Sequence, residues 1–381
     1  MTADRLYDIA LPLLPNVGVI GARLLLDLFG SSKEIFTASP SDFLNKTELS
    51  KEAVSRLIHS RDAALKRAEQ ELNFVEKHRL NTWAWSDDDY PESLRMMHDA
   101  PVILYGKGNI SFGGKFLSVV GTRDCTDRGK QLCHNIVRDL AAAVPNLTIV
   151  SGLAYGIDIE AHKAALEAGI PTIALLAHGL DRIYPAMHRQ IAVQMLGNGG
   201  LMTEYMSGTS PERQNFLFRN RIVAGISQAV LVVESKARGG SLNTAHTAFS
   251  YGRDVLACPG RPTDINSAGC NTLIHRQFAS LVTSAADIID TLGWQSEQVD
   301  TQLPLFHDDS NTVSFASYST SLSPAEKEII KALQPYEDGA SVNDIVEISG
   351  ISFAEVSSLL FGLEMQGVVR SLAGSAYRLA K

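Results

Sequence analysis

Cysteine is scarce in this chain. There are four in 381 residues, Cys125, Cys133, Cys258 and Cys270, and they form neither a CxxC pair nor a zinc spacing. A disulfide-stapled secreted scaffold is excluded, and free thiols in a reducing cytoplasm are expected. Long apolar runs are missing as well: no uninterrupted stretch approaches the roughly 18 residues that a membrane span needs. The N-terminus carries Asp4, Asp8, Pro12 and Pro15 rather than the basic and apolar regions of a signal peptide. Neither GxxxxGKS/T nor GxGxxG occurs, so a nucleoside triphosphate or dinucleotide site has no motif behind it. His, Asp and Glu form no cluster at metal-ligand spacing. The expectation is a cytoplasmic chain that touches no membrane and uses no metal or cofactor.

What is present is enough apolar residue, 45%, for proper cores, and a net charge of −8. A chain this long suggests two or three domains. Taken whole, the charge argues against a nucleic-acid partner; divided along the chain, it does not. Residues 1–110 hold 13 Lys+Arg against 16 Asp+Glu (net −3), residues 111–294 hold 16 against 14 (net +2), and residues 295–381 hold 5 against 12 (net −7). The acid is concentrated in the tail, and the middle is mildly basic.

The middle segment, 111–294, alternates strand and helix patterns. Strands are expected at Phe116–Gly121, Leu147–Gly152, Pro171–Ala177, Gly200–Tyr205, Ala229–Glu234, Asp254–Pro259 and Ser280–Ser284. The run Ala229–Glu234 is continuously apolar and β-branched before its glutamate, as in a strand covered on both faces. Between the first two strands, Leu132, Cys133, Ile136, Val137 and Leu140 make one apolar helical stripe. The alternation predicts an α/β fold with a doubly wound parallel sheet. Ligands of such sheets bind beyond the carboxyl ends of the strands.

The loops leaving those strands share a character. They hold Gly121-Thr122-Arg123, then Ser151-Gly152 with Gly156, then Tyr184-Pro185 with Arg189, then Arg219-Asn220-Arg221, then Arg238-Gly239-Gly240-Ser241 leading to Thr244. Glycines let backbone approach an anion, first-turn N–H groups point at it, and arginine supplies a bidentate cation. The five loops on one rim predict an anionic, phosphate-bearing ligand. Candidates for chemistry are thin. Asp158 and His162 lie four apart on one helical face, a spacing that also suits a helix cap and a core histidine. Glu234 ends a strand, where pairing with a nearby arginine is expected. Ser241 has no nucleophile elbow around it.

The flanks differ from the middle. Residues 1–110 read as a helical domain followed by a strand at Pro101–Tyr105. Gly18 and Gly21 flank an expected turn in LPLLPNVGVIGARLLLDLF, which resembles a helix-hairpin-helix unit, and a charged helix is expected over Ala53–Val75. Residues 295–322 are polar and read as a linker. Residues 323–381 show helix starts at Ser323, Ser341 and Ser352, each with a carboxylate three residues on, then two strands around a glycine. That is a winged-helix pattern. Its third helix has Glu355 and Glu364 but no Lys or Arg from Phe353 to Gln366, so protein contact is expected there rather than a duplex.

The motifs GTR at 121–123, SGLAYGID at 151–158, YP at 184–185, FRNRIVAGIS at 218–227, VVESKARGGSLNTA at 232–245, GRDVLACPG at 252–260 and NSAGCNTLI at 266–274 closely resemble the DNA-processing protein A (DprA/Smf) family. The resemblance spans nearly the whole chain. It implies a Rossmann-like central domain between an N-terminal helical (SAM-like) domain and a C-terminal winged helix. It also implies a non-catalytic homodimer that binds single-stranded DNA, protects it in natural transformation (competence), and loads the RecA recombinase. Carried over residue by residue, Arg123 and Arg189 would contact DNA, and Arg219, Asn220, Arg221, Gly239, Gly240 and Ser241 would complete the pocket. The rival is an enzyme of the nucleotide phosphoribohydrolase type. Such enzymes carry PGGxGTxxE after the equivalent strand, and here Arg238-Gly239-Gly240-Ser241-Leu242-Asn243-Thr244-Ala245-His246 has no glutamate at that spacing.

Overall fold

The computed structural model describes residues 4–295, 322–336, 339–365, 367–372 and 376–379. The expected linker lies almost entirely outside them, at 296–321. The chain divides into two compact units, Met1–Gln298 and Val299–Lys381.

The first unit is built on nine strands: β1 (Asn81–Ala84), β2 (Ile103–Asn109), β3 (Lys115–Val120), β4 (Leu147–Ser151), β5 (Thr172–Leu175), β6 (Gly199–Thr203), β7 (Ala229–Val232), β8 (Asp254–Ala257) and β9 (Ser280–Leu281). Their order in the sheet is β1-β2-β6-β5-β4-β3-β7-β8-β9. From β6 to β9 every neighbour is parallel. β4, β5 and β7 are each buried along their whole length, which is why these segments read as apolar runs rather than alternations. The fold is the expected Rossmann-like doubly wound sheet, with one addition. β1 and β2 are antiparallel and come from before residue 110, so the sheet draws on the segment read as the N-terminal domain.

Helices cover both faces. Helix Asp127–Ala143 lays Cys133, Ile136, Val137 and Leu140 on one face, against Leu117, Ile149 and Leu231. Helix Arg213–Ile226 contributes Ile222, Val223 and Ile226 to the core on the other, with Phe116, Val150 and Val230.

Six α-helices between Arg5 and His78 enclose a third core around Ile9, Leu11, Leu25, Phe43, Leu57 and Val75, which continues onto Val102, Ile103 and Tyr105 beside and within β2. Two local expectations change there. Gly18, at φ +53°, opens the helix Gly18–Phe29, and Gly21 lies inside it rather than beyond the turn. The charged helical stretch is two helices, Lys51–His59 and Arg61–His78, broken at Ser60.

The second unit packs helices Pro324–Leu333, Val342–Ser349 and Phe353–Met365 around Ile329, Leu333, Ile345, Val356, Leu360 and Leu363. A small antiparallel sheet, β10 (Ala340–Ser341), β12 (Ala376–Leu379) and β11 (Val369–Leu372), completes a winged helix. Ser323 with Glu326 and Ser341 with Asp344 form the expected capping boxes. At Ser352 the described bond is a backbone one, from Val356 N–H to its carbonyl at 2.9 Å.

Candidate nucleic-acid interface

Chain order moves from β3 to β4, β5 and β6 in one direction across the sheet, then returns to place β7, β8 and β9 on the other side of β3. The loops after β3 and β7 therefore diverge at a crevice at the carboxyl edge, where such sheets take their ligands. These two loops are tied together. The Thr122 N–H donates to the Glu234 carbonyl at 2.8 Å. The Glu234 carboxylate accepts from the Thr126 N–H at 2.8 Å and from its hydroxyl at 2.5 Å. Thr126 in turn caps the helix that follows by accepting from the Gly129 N–H at 3.0 Å. A Cβ on residue 129 would stand 2.3 Å from the Glu234 carboxyl, so only glycine leaves room for this tie. Glu234 is consumed by Thr126, not by an arginine as expected.

The loop after β7 ends at Gly239, whose extended backbone starts the helix Gly240–Ser250 with no side chain capping it. Its first-turn N–H groups are therefore left to a ligand. Two hydroxyls hold the turn in shape: Ser241 Oγ donates to Ser235 Oγ at 2.9 Å, and Thr244 Oγ1 donates to the Gly240 carbonyl at 3.1 Å.

Between the loops lies a cavity of about 720 Å³. Its walls bear five cations, Arg123, Arg213, Arg219, Lys236 and Arg238, against two carboxylates, Asp124 and Asp158. Arg123, Arg213 and Arg238 are exposed. Arg123 lies over the Phe216 ring at 5.5 Å, and Tyr184 packs beside that ring at 5.7 Å. Lys236 pairs with Asp124 at 3.0 Å.

Arg219 is set deeper, at 3% exposure, donating from Nη1 to the Leu175 carbonyl at 2.5 Å. Its Nε has no partner. Burial lowers its pKa, and Asp158 nearby opposes that shift. Asp158 accepts from the Gly152 and Ala154 N–H groups at 3.2 and 3.4 Å, and burial raises its pKa against the pull of Arg219. It braces the loop after β4 rather than capping the next helix.

The cavity gathers nine of the fourteen residues picked from the sequence: Gly121, Thr122, Arg123, Arg219, Asn220, Gly239, Gly240, Ser241 and Thr244. Three of the others shape it from behind. Ser151 is buried and donates to the Val119 carbonyl at 2.6 Å. Gly152 makes room for the Arg219 guanidinium, 2.1 Å from where a Cβ would be. Gly156, at φ +78°, lets the backbone pass the Thr122 carbonyl.

Arg189 is exposed at the start of its helix, outside the cavity wall. Arg221 is a correction. At 5% exposure it pairs with Glu204 at 2.5 Å and stands 3.8 Å from Asp99, with its guanidinium 4.1 Å from the Phe218 ring centre. Residues two apart on a helix do not share a face, so the pair Arg219–Arg221 cannot both point at one ligand. His162 is a core residue: fully buried, with Nδ1 2.7 Å from Thr172 Oγ1, and driven by burial to a pKa of about 3.

Arg213 and Phe216 also line the cavity and were not named from the sequence, and Tyr184, Lys236 and Arg238 line it too, although the sequence reading placed them only within its rim loops and motifs. A basic residue three before an aromatic, just ahead of the arginine pair, was the signal available for the first two.

Residues 81–293 match the DNA recombination-mediator protein A family, and residues 316–375 match the DprA winged helix domain. The chain belongs to the DNA recombination-mediator protein A family.

Protein Smf of Synechocystis sp. is 33% identical over 81% of this chain and 83% of its own length. The X-ray structure of DNA processing protein A from Streptococcus pneumoniae superposes with a TM-score of 0.63 at 32% identity, covering 76% of this chain and 98% of that one. The Helicobacter pylori DNA processing protein A, described for its single-stranded DNA binding mode, gives a TM-score of 0.50 at 29% identity over 56% of this chain and 95% of that one. The family takes its name from a recombination mediator and not from a catalysed reaction. No single helix among the described residues is long and apolar enough to cross a membrane.

Proposed function

We propose that this chain is a single-stranded-DNA-binding recombination mediator that protects incoming DNA in natural transformation and loads a RecA-type recombinase onto it, acting as a homodimer in the cytoplasm. One observation carries the DNA reading: at the carboxyl edge of the sheet, five cations and an uncapped helix N-terminus converge on one cavity that has no free carboxylate poised for chemistry. Asp124 is paired with Lys236, Asp158 holds backbone amides, and Glu234 holds Thr126. Phosphates would sit at the helix start and beneath Arg123, Arg213 and Arg238. Arg189 would extend the track outside the cavity. Arg219 would act from the floor as a fixed positive charge. Binding of this kind tolerates any sequence and weakens with salt.

The dimer reading is supported at the far edge of the sheet. There β9 has only two residues, with Leu281 half exposed; Phe249 is also half exposed and packs on Phe278, which His246 meets as well.

A titration of labelled single- and double-stranded oligonucleotides across salt tests the proposal. Single strands should bind more tightly, with log affinity falling by about 0.7 per log salt for each phosphate neutralised. Arg123→Ala should lower single-strand affinity about tenfold and reduce that slope. Equal affinity for both forms, or an unchanged Arg123→Ala protein, would overturn it. Acceleration of RecA filament formation on protein-covered single strands checks the loading step.

A further inference from the structure

The third helix of the winged-helix unit, Phe353–Met365, presents a surface unlike a DNA-reading helix. Phe353 is 57% exposed, Phe361 65% and Met365 76%. Val356, Leu360 and Leu363 point the other way and are buried in the core, so the exposed residues are surplus to folding. Ala354, Ser358, Phe361 and Met365 recur at spacings of four, three and four, which puts them on one helical stripe, and all four are exposed. The stripe is small at its amino end and large at its carboxyl end. Glu355 is exposed beside it and Glu364 half-exposed, and the preceding helix adds an exposed Glu347 and Ile348. The helix itself carries no Lys or Arg.

Shape alone would suit a second copy packed antiparallel, with Met365 over Ala354 and Phe361 over Ser358. That pairing is self-complementary, as a two-fold interface requires. Charge argues against it: Glu355 and Glu364 lie on opposite flanks of the stripe, half a turn apart around the helix, and a second copy of this helix, which has no Lys or Arg, would bring no cation to either flank. Carboxylates left without a counter-charge become more costly as an interface excludes water. The occupant that satisfies both constraints has an apolar stripe with lysine or arginine on its flanks.

We propose that the stripe of Ala354, Ser358, Phe361 and Met365 is a docking site for a basic amphipathic helix of a protein partner. Large side chains of the partner fill the space over Ala354 and Ser358, and its cations meet Glu355 and Glu364 on the two flanks. This is the helix-in-groove mode of recognition.

The test uses the full chain and two labelled synthetic helices with the same leucine stripe, one flanked by lysines and one by glutamates, followed by fluorescence anisotropy. The lysine-flanked helix should bind at least about tenfold more tightly than the glutamate-flanked one, since about 1.4 kcal/mol corresponds to that ratio. Phe361→Ser with Met365→Gln should abolish the difference while leaving single-stranded DNA affinity unchanged. Glu355→Lys should reduce it, and that variant leaves the apolar face intact, so it separates loss of the surface from misfolding. Equal binding of the two helices, binding of neither, or full retention in the Phe361/Met365 variant would overturn the proposal. So would a concentration-dependent rise in mass that Phe361→Ser abolishes, because that result assigns the face to a second copy.

Discussion

Around the cavity, Arg123, Arg213 and Arg238 are exposed, and their charge is left for a ligand. In the interior of the same unit, Arg221 is spent on Glu204 and Asp99, and Tyr251 donates to both oxygens of Asp99 at 2.7 and 2.9 Å. Arg219 and Arg221 are two positions apart on one helix, yet one reaches the cavity floor and the other joins the buried network. The motif Arg-Asn-Arg thus reads as a cationic patch, but helix phase assigns its two arginines to different tasks. An arginine matters to a ligand only if no carboxylate of the protein has already claimed it.

The contrast can be broken most severely at the tie that holds the rim in place. Gly129→Ala would push a Cβ into the Glu234 carboxyl and release Thr126. Overpacking of this kind costs about 2 kcal/mol, so chemical denaturation should show a loss of that size. Single-strand affinity should fall with it as the two walls separate.

The contrast can be sharpened at the rim itself. Arg213→Ala should weaken single-strand binding about tenfold, the loss of one desolvated charge contact. Arg189→Ala, outside the cavity, should cost less. Equal losses would mean that the strand is held along the surface and the cavity is incidental.

The interior network gives the smallest effect, and it appears in pH rather than in binding. Burial raises the Glu204 pKa from 4.5 to about 7, with Arg221 opposing and Asp99 adding to the shift. Two carboxylates share one arginine, so the folded state retains a proton that the unfolded state has released. Between pH 4.5 and 7 the folded form binds more protons, and stability falls as pH rises through that window. Between pH 6 and pH 7 the fall should be about 1 kcal/mol. Glu204→Gln should flatten this slope in denaturation measured at both values, while single-strand affinity at a fixed pH stays the same.

Much of this was legible in the sequence. The inner strands of the middle segment were visible because a strand buried on both faces must be apolar throughout, as in Ala229–Val232, whereas β9, two exposed residues, does not follow that rule. β1 was missed: Asn81-Thr82-Trp83-Ala84 is short, and only Trp83 and Ala84 are buried. The glycine loops were visible because close backbone approach leaves few alternatives to glycine. Gly152 and Gly156 were picked for the right reason but the wrong neighbour, since they admit a side chain and a backbone of this protein rather than a phosphate. Arg221 was misplaced because its partners, Asp99 and Glu204, are remote in sequence. The winged-helix unit shows the converse. Its third helix was marked as unsuited to DNA by what it lacked, while its exposed Phe361 and Met365 became visible only once Val356, Leu360 and Leu363 were seen to fill the core.

The bonds from Thr122 and Thr126 to Glu234 carry a thermodynamic consequence. They set the width of the cavity before any ligand arrives, so little chain must be ordered on binding. The free energy of association should then come mainly from ions leaving the nucleic acid, and calorimetry should record a small heat-capacity change beside a steep dependence on salt.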